Sequence, residues 1–261
     1  MVPDVECFYE PAGAATFVST PATAGPWDKA SQHAGPPSAL IARALARHAP
    51  VDDQALARVA VDILRPVPVA PLTLRVRTVR PGRRVTLVEG VVEAGGRDVL
   101  HARGWRVAVS SSPAVDLPGV VPALPPAADE PLVWPGAYRD GYLSAMEWRF
   151  ATGALTEPGP AKAWVRARVP LVAGEETGPA GRALLGADYG NGISAWLDPA
   201  AWLFVNVDLT VALHRQPTGE WILLDAATTI GPDGTGLAVS RLADRNGWVG
   251  RGLQTLVVGP R

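Results

Sequence analysis

Apolar and polar residues alternate along residues 205–214, with Ala212 the one exception. Val205, Val207, Leu209, Val211 and Leu213 hold the odd positions, and Asn206, Asp208, Thr210 and His214 the even ones. Strand side chains alternate with a period of two, so this predicts a strand with one apolar face and a carboxylate in the middle of the other. A carboxylate beside so many apolar residues is costly to desolvate unless it is satisfied or used. The arrangement has an earlier counterpart in Val59-Ala60-Val61-Asp62-Ile63-Leu64.

The pattern elsewhere arranges itself around these two strands. A short extended piece is predicted at 15–18. The prolines of Ser31-Gln32-His33-Ala34-Gly35-Pro36-Pro37-Ser38 suit the first turn of a helix, where amides have no intrahelical partner. That helix is predicted to run to about His48, with Leu40, Ile41, Ala44 and Leu45 on one face and Arg43 and Arg47 off it. Pro50 and Asp52-Asp53 end it. Strands follow at 58–65, 72–80, 84–93 and 98–109, with turns at Pro81-Gly82 and Gly95-Gly96. Residues 111–137 carry seven prolines and read as an extended surface linker. Beyond it come strands at 144–152 and 163–169, a helix at 177–188 stopped by Tyr189-Gly190-Asn191-Gly192, and strands at 202–215, 221–230, 236–244 and 249–258.

This is one order of elements met twice, which divides the chain into 1–110, a linker 111–137, and 138–261. Two local matches support duplication. Val59-Ala60-Val61-Asp62-Ile63 resembles Val205-Asn206-Val207-Asp208-Leu209, and Arg103-Gly104-Trp105 resembles Arg251-Gly252-Leu253.

Composition narrows the partners. The chain has 261 residues, 48% apolar and 19% charged, with a formal net charge of −1 and no basic block. This argues against nucleic acid and an anionic membrane surface. One cysteine, Cys7, excludes an internal disulfide, and four scattered histidines give no metal-ligand spacing, so neither metal nor cofactor is expected. The N-terminal residues lack a signal-peptide pattern and no apolar run approaches the ~20 residues of a membrane span, which makes the cytoplasm the expected location.

Several stretches resemble actinobacterial members of the TesB-type acyl-CoA thioesterase family. They are Gln32-His33-Ala34-Gly35-Pro36-Pro37-Ser38-Ala39-Leu40, Leu64-Arg65-Pro66-Val67-Pro68-Val69, Asp188-Tyr189-Gly190-Asn191-Gly192-Ile193-Ser194, Asn206-Val207-Asp208 and Thr229-Ile230-Gly231-Pro232-Asp233-Gly234. The resemblance implies an α+β double hotdog, two repeats each with a central helix wrapped by an antiparallel sheet. It also implies hydrolysis of an acyl-CoA to a carboxylic acid and free CoA, and a homo-oligomer. The family holds its attacking water with an Asp, a Thr and a Gln of the second repeat. These positions match Asp208, Thr229 (with Thr228 as the adjacent register) and Gln254. A carboxylate raised by partial burial serves as base, and hydroxyl and amide groups position the water. Oxyanion donors are expected at the start of the first central helix, with Gly35 favoured because Pro36 and Pro37 carry no amide hydrogen. His33 and Ser38 complete the candidate substrate-binding residues, and Trp27, Trp196 and Trp202 are candidates for an acyl tunnel.

Counted along the repeat, Arg80 falls opposite Thr229 and Arg106 opposite Gln254, so Asp62 would face arginines and stay structural, leaving one site per chain. These arginines are also candidates for attracting CoA phosphates. Two other functions stay open: a non-catalytic acyl-thioester-binding protein, and a hotdog hydratase or dehydratase. The latter chemistry pairs an Asp with a His in an Asp-x-Asn-Pro-x-His stretch that this sequence lacks.

Overall fold

The structure, a computed structural model, describes residues 5–51, 53–115, 119–127 and 133–261. Residues 1–4, Asp52 of the helix-ending pair, and Pro118 and Pro131 of the proline-rich stretch lie outside them.

The first unit contains β1 (Tyr9–Pro11), β2 (Thr16–Ser19), α1 (Gly35–Arg47), β3 (Gln54–Ile63), β4 (Pro71–Arg80), β5 (Val85–Ala94) and β6 (Arg97–Ala108). The second contains α2 (Tyr142–Ala145), β7 (Met146–Thr152), β8 (Ala161–Ala167), α3 (Pro179–Ala187), α4 (Gly190–Ile193), β9 (Trp202–Asn206), β10 (Asp208–Leu213), β11 (Ile222–Ile230), β12 (Thr235–Asp244) and β13 (Gly247–Pro260). All strands join one antiparallel sheet in the order β1-β2-β4-β5-β6-β3-β10-β13-β12-β11-β8-β7, with β9 also paired to β13. The order is the same read from either end, with β3 and β10 meeting at the centre. This is the α+β double hotdog.

The sheet wraps α1 and α3. Leu40, Ile41 and Leu45 of α1 and Leu184 and Leu185 of α3 are fully buried against it. Burial of each such side chain is worth about 1.5–3 kcal/mol. The helices lie antiparallel. Gly35, opening α1, lies against the Leu185 carbonyl near the end of α3, while Arg43 and Arg47 further along α1 bond Glu175, just before α3 begins. The α1 C-terminus leaves carbonyls unpaired, and the buried Arg106 guanidinium takes three of them, from Ala46, His48 and Ala49.

Register shows the duplication more sharply than the matching strings do. Ala60 pairs with Arg103 and Thr210 with Leu253; Val88 pairs with Gly104 and Ala238 with Gln254. Each of these equivalents is 150 positions further along. Ala60 and Thr210 also pair with each other, so the pseudo-twofold passes between them. Irregularities repeat as well. The pairing slips between Val92 and Glu93 and again between Leu242 and Ala243. It slips between Leu56 and Arg58, and again at Val207, where β9 gives way to β10.

This corrects three sequence alignments. Asp208 is equivalent to Arg58 rather than Asp62, and Gln254 to Gly104 rather than Arg106; Arg103-Gly104-Trp105 likewise lies two positions out of register with Arg251-Gly252-Leu253. Arg80 does stand opposite Leu87, as Thr229 stands opposite Leu237.

The described part of 111–137 forms neither helix nor strand. It packs along the second unit, where the indoles of Trp164 and Trp248 donate to the carbonyls of Pro122 and Gly119, and Arg149 donates to that of Pro125.

Candidate active site

The continuous strand expected over 202–215 breaks at Val207. Its amide donates to the Thr255 carbonyl, and the Thr255 amide donates to Oδ1 of Asp208 at 2.6 Å. Two residues of one strand therefore face a single residue of β13, which is the geometry of a bulge. The bulge reverses the alternation. Phe204 and Asn206 face inward before it, and Leu209 and Val211 after it, while Val207 turns out to 40% exposure. Asn206, expected on the face opposite the apolar residues, is thereby aimed at the end of α3.

There it meets Asp188, the residue after α3, which is only 1% exposed. Asn206 Nδ2 donates to Asp188 Oδ1 at 2.8 Å, and His33 Nδ1 lies 2.8 Å from Oδ2. Gln254, inward on β13 and 1% exposed, donates Nε2 to the Asp188 carbonyl at 2.8 Å. It accepts the Asn191 amide on Oε1 at 3.0 Å, so it clamps the end of α3 to the start of α4. The His33 ring stacks on Tyr142 with centroids 3.8 Å apart and planes 5° from parallel. The Tyr142 hydroxyl donates to the Leu185 carbonyl. Burial, and then the Asp188 charge and neighbouring Tyr189, push the Tyr142 phenol far above its ordinary pKa. Burial does the same for Tyr189. Both phenols are thus neutral hydroxyls.

His33, Asp188, Asn191 and Asn206 border a cleft of about 900 Å³ that opens between the units. Its walls are aromatic and apolar, from Trp27, Trp134, Trp196, Leu203 and Phe204. Trp27 packs edge-on against Phe204 at 5.5 Å and Arg261 sits over its ring at 4.8 Å. Arg65 also borders the cleft.

The expected grouping of Asp208, Thr229 and Gln254 does not form. Asp208 serves the Thr255 amide at the bulge and does not border the cleft. Thr229 is exposed on the outer side of β11, because it lies one residue after the inward Thr228. Thr228 is buried and shares a hydrogen bond with Ser194 at 2.7 Å, away from the cleft lining. Only Gln254 joins the cluster. Of the expected substrate-binding residues, His33 borders the cleft. Gly35 is buried beneath the end of α3, with its amide 3.3 Å from His33 Nδ1 rather than facing the cleft. Ser38 is fully buried one turn further along α1, so it too is out of reach. Trp27 and Trp196 line the cleft and Trp202 does not. Arg106 caps α1 and Arg80 donates to the Val85 carbonyl, so neither reaches the cleft.

The pattern alone missed Asp188, Asn206, Asn191 and Tyr142. The available signal was a carboxylate closing an apolar helix, in a stretch read as a helix stop and as part of the family resemblance but given no chemical role. The first unit lacks this cluster. Where Gln254 stands it has Gly104, and where Asn206 stands, Leu56. A methyl on Gly104 would lie 2.9 Å from Leu56 and 3.2 Å from Leu45, so the corresponding place is filled by apolar side chains. Among the described residues no group of three His, Cys, Asp or Glu could hold a metal ion, and no helix is long and apolar enough to cross a membrane.

Comparison with known proteins agrees with this architecture. The chain is similar in fold to a tesB protein of Mycobacterium avium subs paratuberculosis (TM-score 0.69, 16% identity, covering 97% of this chain and 96% of that one). It is similar to a putative thioesterase II of Thermobifida fusca (0.72, 17%, 96% and 95%). A hot dog protein of unknown function from Alicyclobacillus acidocaldarius is also similar (0.73, 17%, 95% and 95%). No curated protein matches the sequence significantly. Residues 23–107 match the acyl-CoA thioesterase N-terminal domain and residues 119–258 the acyl-CoA thioesterase C-terminal domain. With both halves matched in order on a double hotdog, the chain belongs to the acyl-CoA thioesterase family and is a thioester hydrolase.

Proposed function

We propose that the chain hydrolyses an acyl-CoA thioester to a carboxylic acid and free CoA in the cleft between its two units, with Asp188 rather than Asp208 as the carboxylate of the site. Asn206 stands where a Thr was expected, and Gln254 keeps its place as the residue that holds the site together. The observation that carries this reading is the difference between the copies. Asp188, Asn206 and Gln254 converge in the second unit, whereas Leu45, Leu56 and Gly104 fill the equivalent place in the first. A buried carboxylate with polar neighbours is costly, and a fold that manages without one in its other copy does not need it for packing. One site per chain follows.

The apolar walls suit the acyl chain. Arg65 and Arg261 at the cleft suit the phosphates of CoA, since guanidinium groups match phosphate in charge and geometry. The cytoplasmic location and the homo-oligomer expected from the resemblance belong to the same proposal.

The test is free-thiol release from acetyl-, octanoyl-, palmitoyl- and phenylacetyl-CoA. Asp188→Asn keeps the shape of the side chain and removes its charge, and is expected to lower kcat by about 10²-fold or more. Full activity in that variant would sink the assignment of Asp188. Consumption of an enoyl-CoA without thiol release would favour a hydratase, and tight acyl-CoA binding without turnover would favour a binding protein.

A further inference from the structure

We propose that His33, rather than a carboxylate acting alone, takes the proton of the attacking water, and that Asp188 acts through it. This rests on the reading of the cleft as the hydrolytic site and adds a catalytic residue to it.

Asp188 is poorly placed to deprotonate water itself. Oδ1 accepts from Asn206 at 2.8 Å and from Gln254 Nε2 at 3.5 Å, and Oδ2 faces His33 Nδ1 at 2.8 Å. Both oxygens are engaged by protein and the side chain is 1% exposed. An ionised carboxylate only accepts hydrogen bonds, so the proton of a neutral His33 is assigned to Nδ1 and the lone pair to Nε2. The Gly35 amide also approaches Nδ1, at 3.3 Å, but the carboxylate is closer and decides the tautomer. Nε2, on the opposite edge of the ring, has no hydrogen-bond partner among the described residues, and His33 borders the cleft. Stacking on Tyr142 prevents the ring from turning. A base, an orienting carboxylate and a fixed ring are the parts an activated nucleophile requires, here with water as the nucleophile.

The step balances without any other reactant. Water oxygen bonds to the thioester carbonyl carbon, its proton passes to His33 Nε2, and the carbonyl π electrons move to oxygen. The tetrahedral intermediate collapses with cleavage of the C–S bond. The imidazolium returns its proton to the leaving thiolate, yielding a carboxylic acid and CoA thiol. Asp188 is unprotonated throughout and stabilises the imidazolium.

The experiment compares wild type, His33→Ala and His33→Gln on the same four acyl-CoAs, with thermal unfolding as the folding check. The inference expects kcat to fall about 10²–10⁴-fold in both variants, KM to change little, and added imidazole to restore thiol release in His33→Ala but not in His33→Gln, whose side chain still fills the site. A folded His33→Ala with kcat within about twofold of wild type would overturn the inference and leave the site reading intact. A loss that imidazole does not rescue, or that appears only in KM or in unfolding temperature, would make His33 a structural residue and overturn it too. If wild type releases thiol from none of the four substrates, the site reading fails, and this inference with it.

Discussion

Asp188 and Asp208 are twenty residues apart in sequence and adjacent to the same asparagine, yet they do different work. Asp208 satisfies one backbone amide at a strand irregularity, that of Thr255, at 2.6 Å. Asp208→Ala leaves that amide without its acceptor and is expected to cost about 1–3 kcal/mol of stability, read by urea unfolding. Thiol release should stay within about twofold of wild type at a temperature where both are folded. Strongly impaired turnover in a folded Asp208→Ala would restore Asp208 to the reaction. A third aspartate, Asp244, sets acid stability. Burial alone would raise its carboxyl, but bonds from Arg215, the amides of Thr218 and Asn246 and the Thr218 hydroxyl outweigh it and hold the pKa at about 2. A depressed carboxylate stabilises the fold above its unfolded value of ~3.9, and that stability is lost as pH falls from about 4 to about 2. The contribution is about 2 kcal/mol. Unfolding midpoints measured between pH 5 and pH 2.5 should fall in wild type. Asp244→Asn should be less stable at pH 5 and less sensitive to acid.

At the scale of elements, the bulge at Val207 is the device that makes the site. It lets β9 and β10 continue as one ladder beside β13 while exchanging faces between Asn206 and Asp208. The first unit has the same irregularity after Leu56, so the device belongs to the repeat, and its use for chemistry belongs to the side chain it turns inward. The ladder must stay close for this to work. A Cβ on Gly250 would run into the Ala212 carbonyl of the neighbouring β10. Gly250→Ala is therefore expected to force β13 away from β10 and cost about 1–3 kcal/mol. Thiol release should also fall, because Gln254 and the Thr255 partner of Asp208 ride on the same strand. Unchanged stability in that variant would refute the close-approach argument.

The whole molecule is a duplicated unit in which, among the described residues, the Asp–Asn–Gln cluster forms in the second copy and not in the first. The pseudo-twofold through Ala60 and Thr210 brings the two central helices side by side, antiparallel, so that the start of α1 meets the end of α3. The candidate site lies at that meeting point and draws His33 from one unit and Asp188, Asn206 and Gln254 from the other. Neither unit holds it alone. The mirrored meeting point, at the end of α1 and the start of α3, is held together differently, by Arg43, Arg47 and Glu175 and by Arg106 on the helix carbonyls.

Local pattern was enough for the elements and for their duplication. Period-two alternation located nearly every strand, prolines at a first turn located α1, and Pro81-Gly82 and Gly95-Gly96 located hairpin turns, because each of these depends on a few neighbouring residues. Gln254 and His33 were legible as candidates, and so was the family, from short stretches spread along both halves. Which aspartate faces the cleft was not legible. A one-residue bulge inverts every later side chain, and its presence shows in no local pattern: Val205-Asn206-Val207-Asp208-Leu209 alternates as an unbroken strand would. The equivalence of the two copies was likewise settled by sheet register, displaced by 150 residues, where matching strings suggested shorter offsets. The sequence by itself determined two wrapped helices in one repeated sheet. Only the tertiary structure decided that Asp188 lies beneath Asn206 and against His33, because the His33–Asp188 contact joins residues from opposite units and depends on how far two antiparallel helices slide past each other.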